Sequence, residues 1–198
     1  MHSYTDKIRG GDLILVTATG WTGKAISWFT KSKWCHVGRL VMLENRALII
    51  EAMPPYVRIV PLSLYVYEKR QIMVRRIRKF ECASLPLNDY DWMEINRAYI
   101  DHLMPQVGRR AYKESTLLRF PARMLTGIFG DDEDDSTDDG TVCSQQQSEA
   151  DRGLWQLDPV KNKSDRFTSP ADLAISTSYV TITENLQFNN EDTTHLIF

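Results

Sequence analysis

The chain has 198 residues, 42% of them hydrophobic, which is enough to bury one substantial core, and a formal net charge of −2. Three cysteines (Cys35, Cys82 and Cys143) are an odd number without CxxC spacing, which argues against a disulfide framework and a zinc site. No apolar leader follows Met1 and no apolar run is long enough to span a membrane, so the expectation is a soluble product made in the cytoplasm.

The near-neutral charge hides an asymmetry. Residues 1–130 hold 20 basic and 11 acidic side chains, while residues 131–198 hold 4 and 15. Seven of those acids lie in residues 131–139, a self-repelling block read as a solvated loop.

In chain order, Gly10-Gly11 followed by Asp12 to Val16 predicts a turn feeding a buried, mid-sheet strand. Helical spacing of Ala25, Ile26, Trp28 and Phe29 predicts a helix from Thr22 to Ser32, with Thr17 to Trp21 as the loop before it. Cys35 to Leu43 and Arg46 to Ala52 read as an antiparallel hairpin about Glu44-Asn45. Tyr56 to Val60 is a further extended stretch, and Pro61 is expected to begin a short helical turn. Gln71 to Arg78 reads as a strand ending in a basic cluster, expected to be a solvated edge because no aromatic residues interleave with the charges as a polyanion site requires; no nucleic-acid partner is expected.

From Asn88 the period becomes helical, with Trp92, Ile95, Tyr99, His102 and Leu103 on one face and Pro105 and Gly108 ending the run. Tyr112 to Ile128 is expected to be helical with a break near Pro121, its apolar residues either lining a groove or covering the sheet. A helix then runs from Cys143 to about Trp155, another opens at Ser169-Pro170, and Ser178 to Thr183 is a last strand.

Cys143 stands out because a glycine-led turn at Gly140 places it, partly exposed, where a helix starts. Unpaired N–H groups and the positive dipole end there favour a thiolate. A cysteine at a helix start is also a common packing residue, so a base must accompany it. His36 heads an apolar strand, and Glu51 follows fifteen residues later. Side chains alternate along strands, so a two-residue turn pairs Gly38 with Glu51 and leaves His36 on the diagonal, about 7 to 8 Å away, which a glutamate spans, whereas a three-residue turn would face Glu51 away. Nucleophile, base and orienting carboxylate are the parts of a cysteine-hydrolase site.

The order of these pieces, strands with His36 and Glu51 first and the cysteine helix last, resembles the circularly permuted NlpC/P60 papain-like proteins, the YiiX-like family, related to the lecithin retinol acyltransferase group. The matching segments are Gly11 to Ile14, Trp34 to Gly38, Ile50 to Ala52, Val142 to Ser144 and Ser169 to Leu173. Cys35 stands where the family often has serine, and Gln145 where it often has glutamate.

The resemblance implies an α+β permuted papain-like fold: an antiparallel sheet or partial barrel first, and the nucleophile helix packed on it from the C-terminal half. Residues 1–183 would form one catalytic domain, with residues 184–198 as a tail. It implies a Cys143–His36–Glu51 triad with no cofactor and no metal. The oxyanion would be met by the Cys143 backbone N–H and a donor from the loop holding Thr19 and Trp21, two candidate substrate-binding residues. The expected reaction is hydrolysis of an amide in a peptide-like or N-acyl substrate, cell-wall peptides included, through an acyl-enzyme. Acyl transfer or thioester cleavage on a lipid is the alternative, and a non-catalytic binding module is opposed by the intact triad. A cell-wall target would require release by lysis, injection or export.

Overall fold

A computed structural model describes residues 7–18, 24, 27–28, 30–44, 46–112 and 141–186. The acidic block at 131–139, the apolar stretch at 117–128, Thr19, Trp21, Gly140 and the tail from 187 lie outside the described residues. Lys24, Ser27, Trp28 and Thr30 are helical, in the predicted helix.

The short apolar run predicted as a central strand is β1, Leu13–Thr17. It pairs on one side with β2, Trp34–Leu43, and on the other with β5, Ile72–Ile77, both antiparallel. The strands β3, Arg46–Met53, β4, Tyr56–Pro61, and β6, Tyr179–Thr183, complete a six-stranded antiparallel sheet in the order β4-β3-β2-β1-β5-β6. Leu43 pairs with Arg46 and Arg39 with Ile50, so the β2–β3 turn has two residues, with Glu44 at φ +47°.

Pro61 closes β4, and the helical turn begins later, as α1, Ser63–Tyr67. Short α2, Arg78–Glu81, follows β5. Helix α3, Asp89–Leu103, opens on a capping box in which Asn88 accepts from Tyr90 N–H and Asp91 N–H at 2.8 and 3.0 Å and Asp91 accepts from Asn88 N–H at 2.9 Å. The last helices are α4, Cys143–Trp155, and α5, Pro170–Ile175, the latter capped by Ser169 with Asp172.

Both faces of the sheet are covered, which is why the central strands are apolar on both sides. Leu13, Leu15, Val37, Val41, Ile50 and Met73 pack against Ile95, Tyr99 and Leu103 of α3, Ala150 of α4 and Leu173 of α5. On the other face Ile14, Val16, Leu40, Ile49, Ile72 and Val74 pack with Ile8, Leu62, Tyr65 and Leu186. Gly11, at φ +97°, lets α3 come close: a Cβ there would sit 2.8 Å from Ile95 and 2.9 Å from Tyr99.

The basic cluster of β5 is not a solvated edge. β5 lies between β1 and β6, and Arg75 and Arg76 are buried. The Arg75 guanidinium donates to the carbonyls of Leu173, Ala174, Ser176 and Tyr179, knitting α5 and β6 to the strand. Arg76 clasps buried Asp12 with two hydrogen bonds of 2.8 and 2.9 Å and donates to Glu81 at 2.7 Å. Each guanidinium has the multiple acceptors that make burial tolerable, which a strand pattern alone does not reveal.

Candidate active site

Chain pairing from β4 fixes the start of α4. Val57 N–H donates to Arg110 C=O, Tyr112 N–H to Pro55 C=O, and Thr141 N–H to Ala111 C=O, at 3.0, 2.8 and 3.0 Å. Val142 is then extended, at φ −111° and ψ 163°, and Cys143 begins the helix without a side-chain cap. Cys143, Gln147 and Asp151, four residues apart, share the face turned toward the sheet. Gln147 donates to Ile50 C=O at 3.3 Å and accepts from Arg39 Nε at 3.2 Å. Asp151 accepts from Arg39 at 2.8 Å and from the hydroxyls of Tyr99 and Tyr179. Ser144 Oγ donates to Thr168 C=O at 2.6 Å, so α4 is pinned on both sides of the nucleophile candidate.

His36 and Glu51 meet as the two-residue turn requires: His36 Nε2 lies 2.7 Å from Glu51 Oε2, with Glu51 fully buried and His36 nearly so. Gly38 makes the approach feasible, since a Cβ on it would stand 2.4 Å from Ile49 Cγ2 and 3.2 Å from Glu51 Cβ. Cys143 is the imidazole's other polar neighbour. Burial opposes protonation of His36. The charge of Glu51, then the charge and hydrogen bond of Cys143, outweigh it and push the imidazole up to about 10. Burial likewise opposes ionisation of Glu51, but His36, Tyr65 and Arg58 overcome it and hold the carboxyl at about 2.

Cys143 is 6% exposed, more covered than the partly exposed thiol expected of a helix start, because the helix packs into the core from its first residue. Cys35 is buried, as its place on the alternate face of β2 predicts, with its sulfur 3.7 Å from Val16 O. Burial, then the nearby Cys143, push its thiol up to about 11. Cys82 is exposed beyond α2. The structure therefore brings Cys143, His36 and Glu51 together, while Thr19 and Trp21 lie outside the described residues.

Two residues of the cluster escaped the sequence reading. Arg58 on β4 stands directly opposite Glu51 and donates to its Oε1 from Nε at 2.8 Å and from a terminal nitrogen at 2.7 Å. That pairing was readable, because a two-residue Pro54-Pro55 link aligns Met53 with Tyr56 and hence Glu51 with Arg58. Tyr65, from α1, donates its hydroxyl to Glu51 Oε2. No local pattern signals it, since its place depends on how α1 folds back over the sheet.

The arrangement is an α+β protein with a helix-borne thiol next to a carboxylate-held imidazole. Its fold is that of a YiiX-like protein: the solved structure titled metalloprotein yiiX from Escherichia coli O157:H7 superposes with a TM-score of 0.65 at 17% identity, covering 90% of this chain and 98% of that one. No protein-family model matches the chain, and no curated protein matches its sequence. That neighbour is named a metalloprotein. Among the described residues no group of three or more histidines, cysteines or acids is placed to hold a metal ion. Both oxygens of Glu51 already accept from N–H and O–H donors, with Arg58 supplying the countercharge. The cluster does not fit a metal, because its carboxylate oxygens are already taken up by these donors.

Proposed function

We propose that this chain is a cysteine-dependent hydrolase of permuted papain-like type, related to the NlpC/P60 group, with residues 1–183 as its catalytic unit. The observation that carries the reading is a helix-start cysteine beside a histidine whose Nε2 lies 2.7 Å from a buried glutamate. In this reading His36 takes the Cys143 proton, and the sulfur attacks an amide carbonyl. The oxyanion forms beside the Cys143 backbone N–H, and His36 returns the proton to the departing amine. Water, deprotonated by the same imidazole, then attacks the thioester and releases the acid, with Glu51 holding the ring in one tautomer throughout. The substrate class is a peptide-like or N-acyl amide. A lipid acyl group would pass through the same acyl-enzyme, and the acceptor that resolves it separates the two.

Wild type and Cys143→Ala, incubated with peptidoglycan fragments, lysine-containing peptides and acyl thioesters and followed by mass spectrometry, test this. Cysteine-dependent release from an amide is the expected result. Turnover restricted to thioesters or lipids overturns the amide assignment. Near neutral pH iodoacetamide should modify Cys143 faster than exposed Cys82, despite the greater burial of Cys143, and the opposite order would sink the nucleophile.

A further inference from the structure

We propose that Tyr65 is a positioning residue for the Cys143–His36–Glu51 cluster, its hydroxyl locking the same Glu51 oxygen that orients the His36 imidazole; this rests on the catalytic reading above. A glutamate carboxylate turns easily about its last torsion, because that rotor is broad and nearly two-fold. Arg58 anchors Oε1 from β4 but leaves Oε2 free to swing about that anchor. Tyr65 removes this freedom from a different element, since its hydroxyl and His36 Nε2 both donate to Oε2.

The surroundings suit a permanent donor. Tyr65 is 2% exposed, and burial, then the charge of Glu51, drive its phenol far above the ordinary range, so the proton stays on oxygen. The Arg70 guanidinium lies 5.0 Å from the ring centre, and the His36 ring is 6.4 Å away. The charged and titratable groups around the hydroxyl are thus Glu51 from β3, Arg58 from β4, His36 from β2 and Arg70 beyond α1, with Cys143 reached through His36. The ring also packs in the core with Ile14, Val16 and Leu62, so Tyr65→Phe keeps that contact and deletes the oxygen alone.

The test compares wild type, Tyr65→Phe and His36→Ala by the rate at which iodoacetamide alkylates Cys143 across pH 5 to 9, read by mass spectrometry, together with the low-field imidazole N–H proton resonance of His36. Tyr65→Phe should slow Cys143 alkylation about tenfold near pH 6, the scale of one hydrogen bond to a charged group, and broaden or shift the His36 resonance. His36→Ala should slow it further and abolish the resonance. A Tyr65→Phe protein with the wild-type rate profile and an unmoved His36 signal overturns the inference while leaving the catalytic reading intact. Unchanged alkylation in His36→Ala overturns both. If Tyr65→Phe does not fold, 3,5-difluorotyrosine at position 65 keeps ring and hydroxyl but sharpens the donor. It should shift the His36 resonance, and no shift overturns the inference.

Discussion

Replacing Glu51 with glutamine is nearly isosteric, yet it should be among the most damaging single changes in this molecule. Oε2 receives His36 and Tyr65 while Oε1 receives Arg58 twice, so either amide orientation turns an NH2 donor against donors around a fully buried side chain. The carboxyl titrates at about 2 instead of the usual 4.5, and at about 1.4 kcal/mol per tenfold in proton affinity this is worth roughly 3 kcal/mol at neutral pH. Breaking one member of a buried ion pair, at about 3 to 5 kcal/mol, gives the same scale.

The pH dependence follows from the directions. The depressed Glu51 contributes stability that is full above 4.5 and lost as pH falls through about 2. The raised His36 contributes stability that is full below 6.5 and lost as pH rises through about 10. The two describe one contact and count once, so the gap between wild type and Glu51→Gln should be widest between pH 4.5 and 6.5. Urea unfolding followed by circular dichroism should give a gap of about 3 kcal/mol at pH 6 that falls by about half at pH 3. A gap below about 1 kcal/mol, or one that does not change between those pH values, would refute the reasoning.

Asp151→Ala leaves fully buried Arg39 without its carboxylate and should cost about 3 to 5 kcal/mol in urea unfolding, whereas Arg39→Met with Asp151→Leu should recover most of that loss. An Asp151→Ala protein as stable as wild type would show that Gln147, Tyr99 and the Gly11 carbonyl suffice to hold Arg39. Gly38→Ala places a methyl 2.4 Å from Ile49 and should cost about 1 to 3 kcal/mol by overpacking, and it should also weaken the His36–Glu51 contact, read as loss of the low-field imidazole proton. Unchanged stability and an unchanged resonance would mean that the β2–β3 strands separate freely there.

Local rules made much of this protein legible in its sequence. The apolar run after Gly11, the parity of the Glu44-Asn45 turn, the change of period at Asn88 and the proline after Ser169 are short-range signals. Each placed its element within a residue or two of where the structure has it. An even turn put His36 and Glu51 on one face, because strand side chains alternate and the β2–β3 register runs unbroken from Arg39 to the turn. Register would also have led to Arg58 had the β3–β4 link been counted, since the pairing sets it opposite Glu51. The partners of buried charges belong to a different category. Arg39 with Asp151, Arg76 with Asp12, and Arg75 with the carbonyls of α5 and β6 join residues far apart in the chain, and an arginine in an apolar strand reads the same whether it meets water or a carboxylate. Tyr65 is the sharpest instance: nothing near it in the chain mentions Glu51, and their hydrogen bond exists because packing on the second face of the sheet brings α1 over β3. Alternation and capping are properties of neighbouring residues, whereas compensation of a buried charge is a property of whatever the completed fold carries to it.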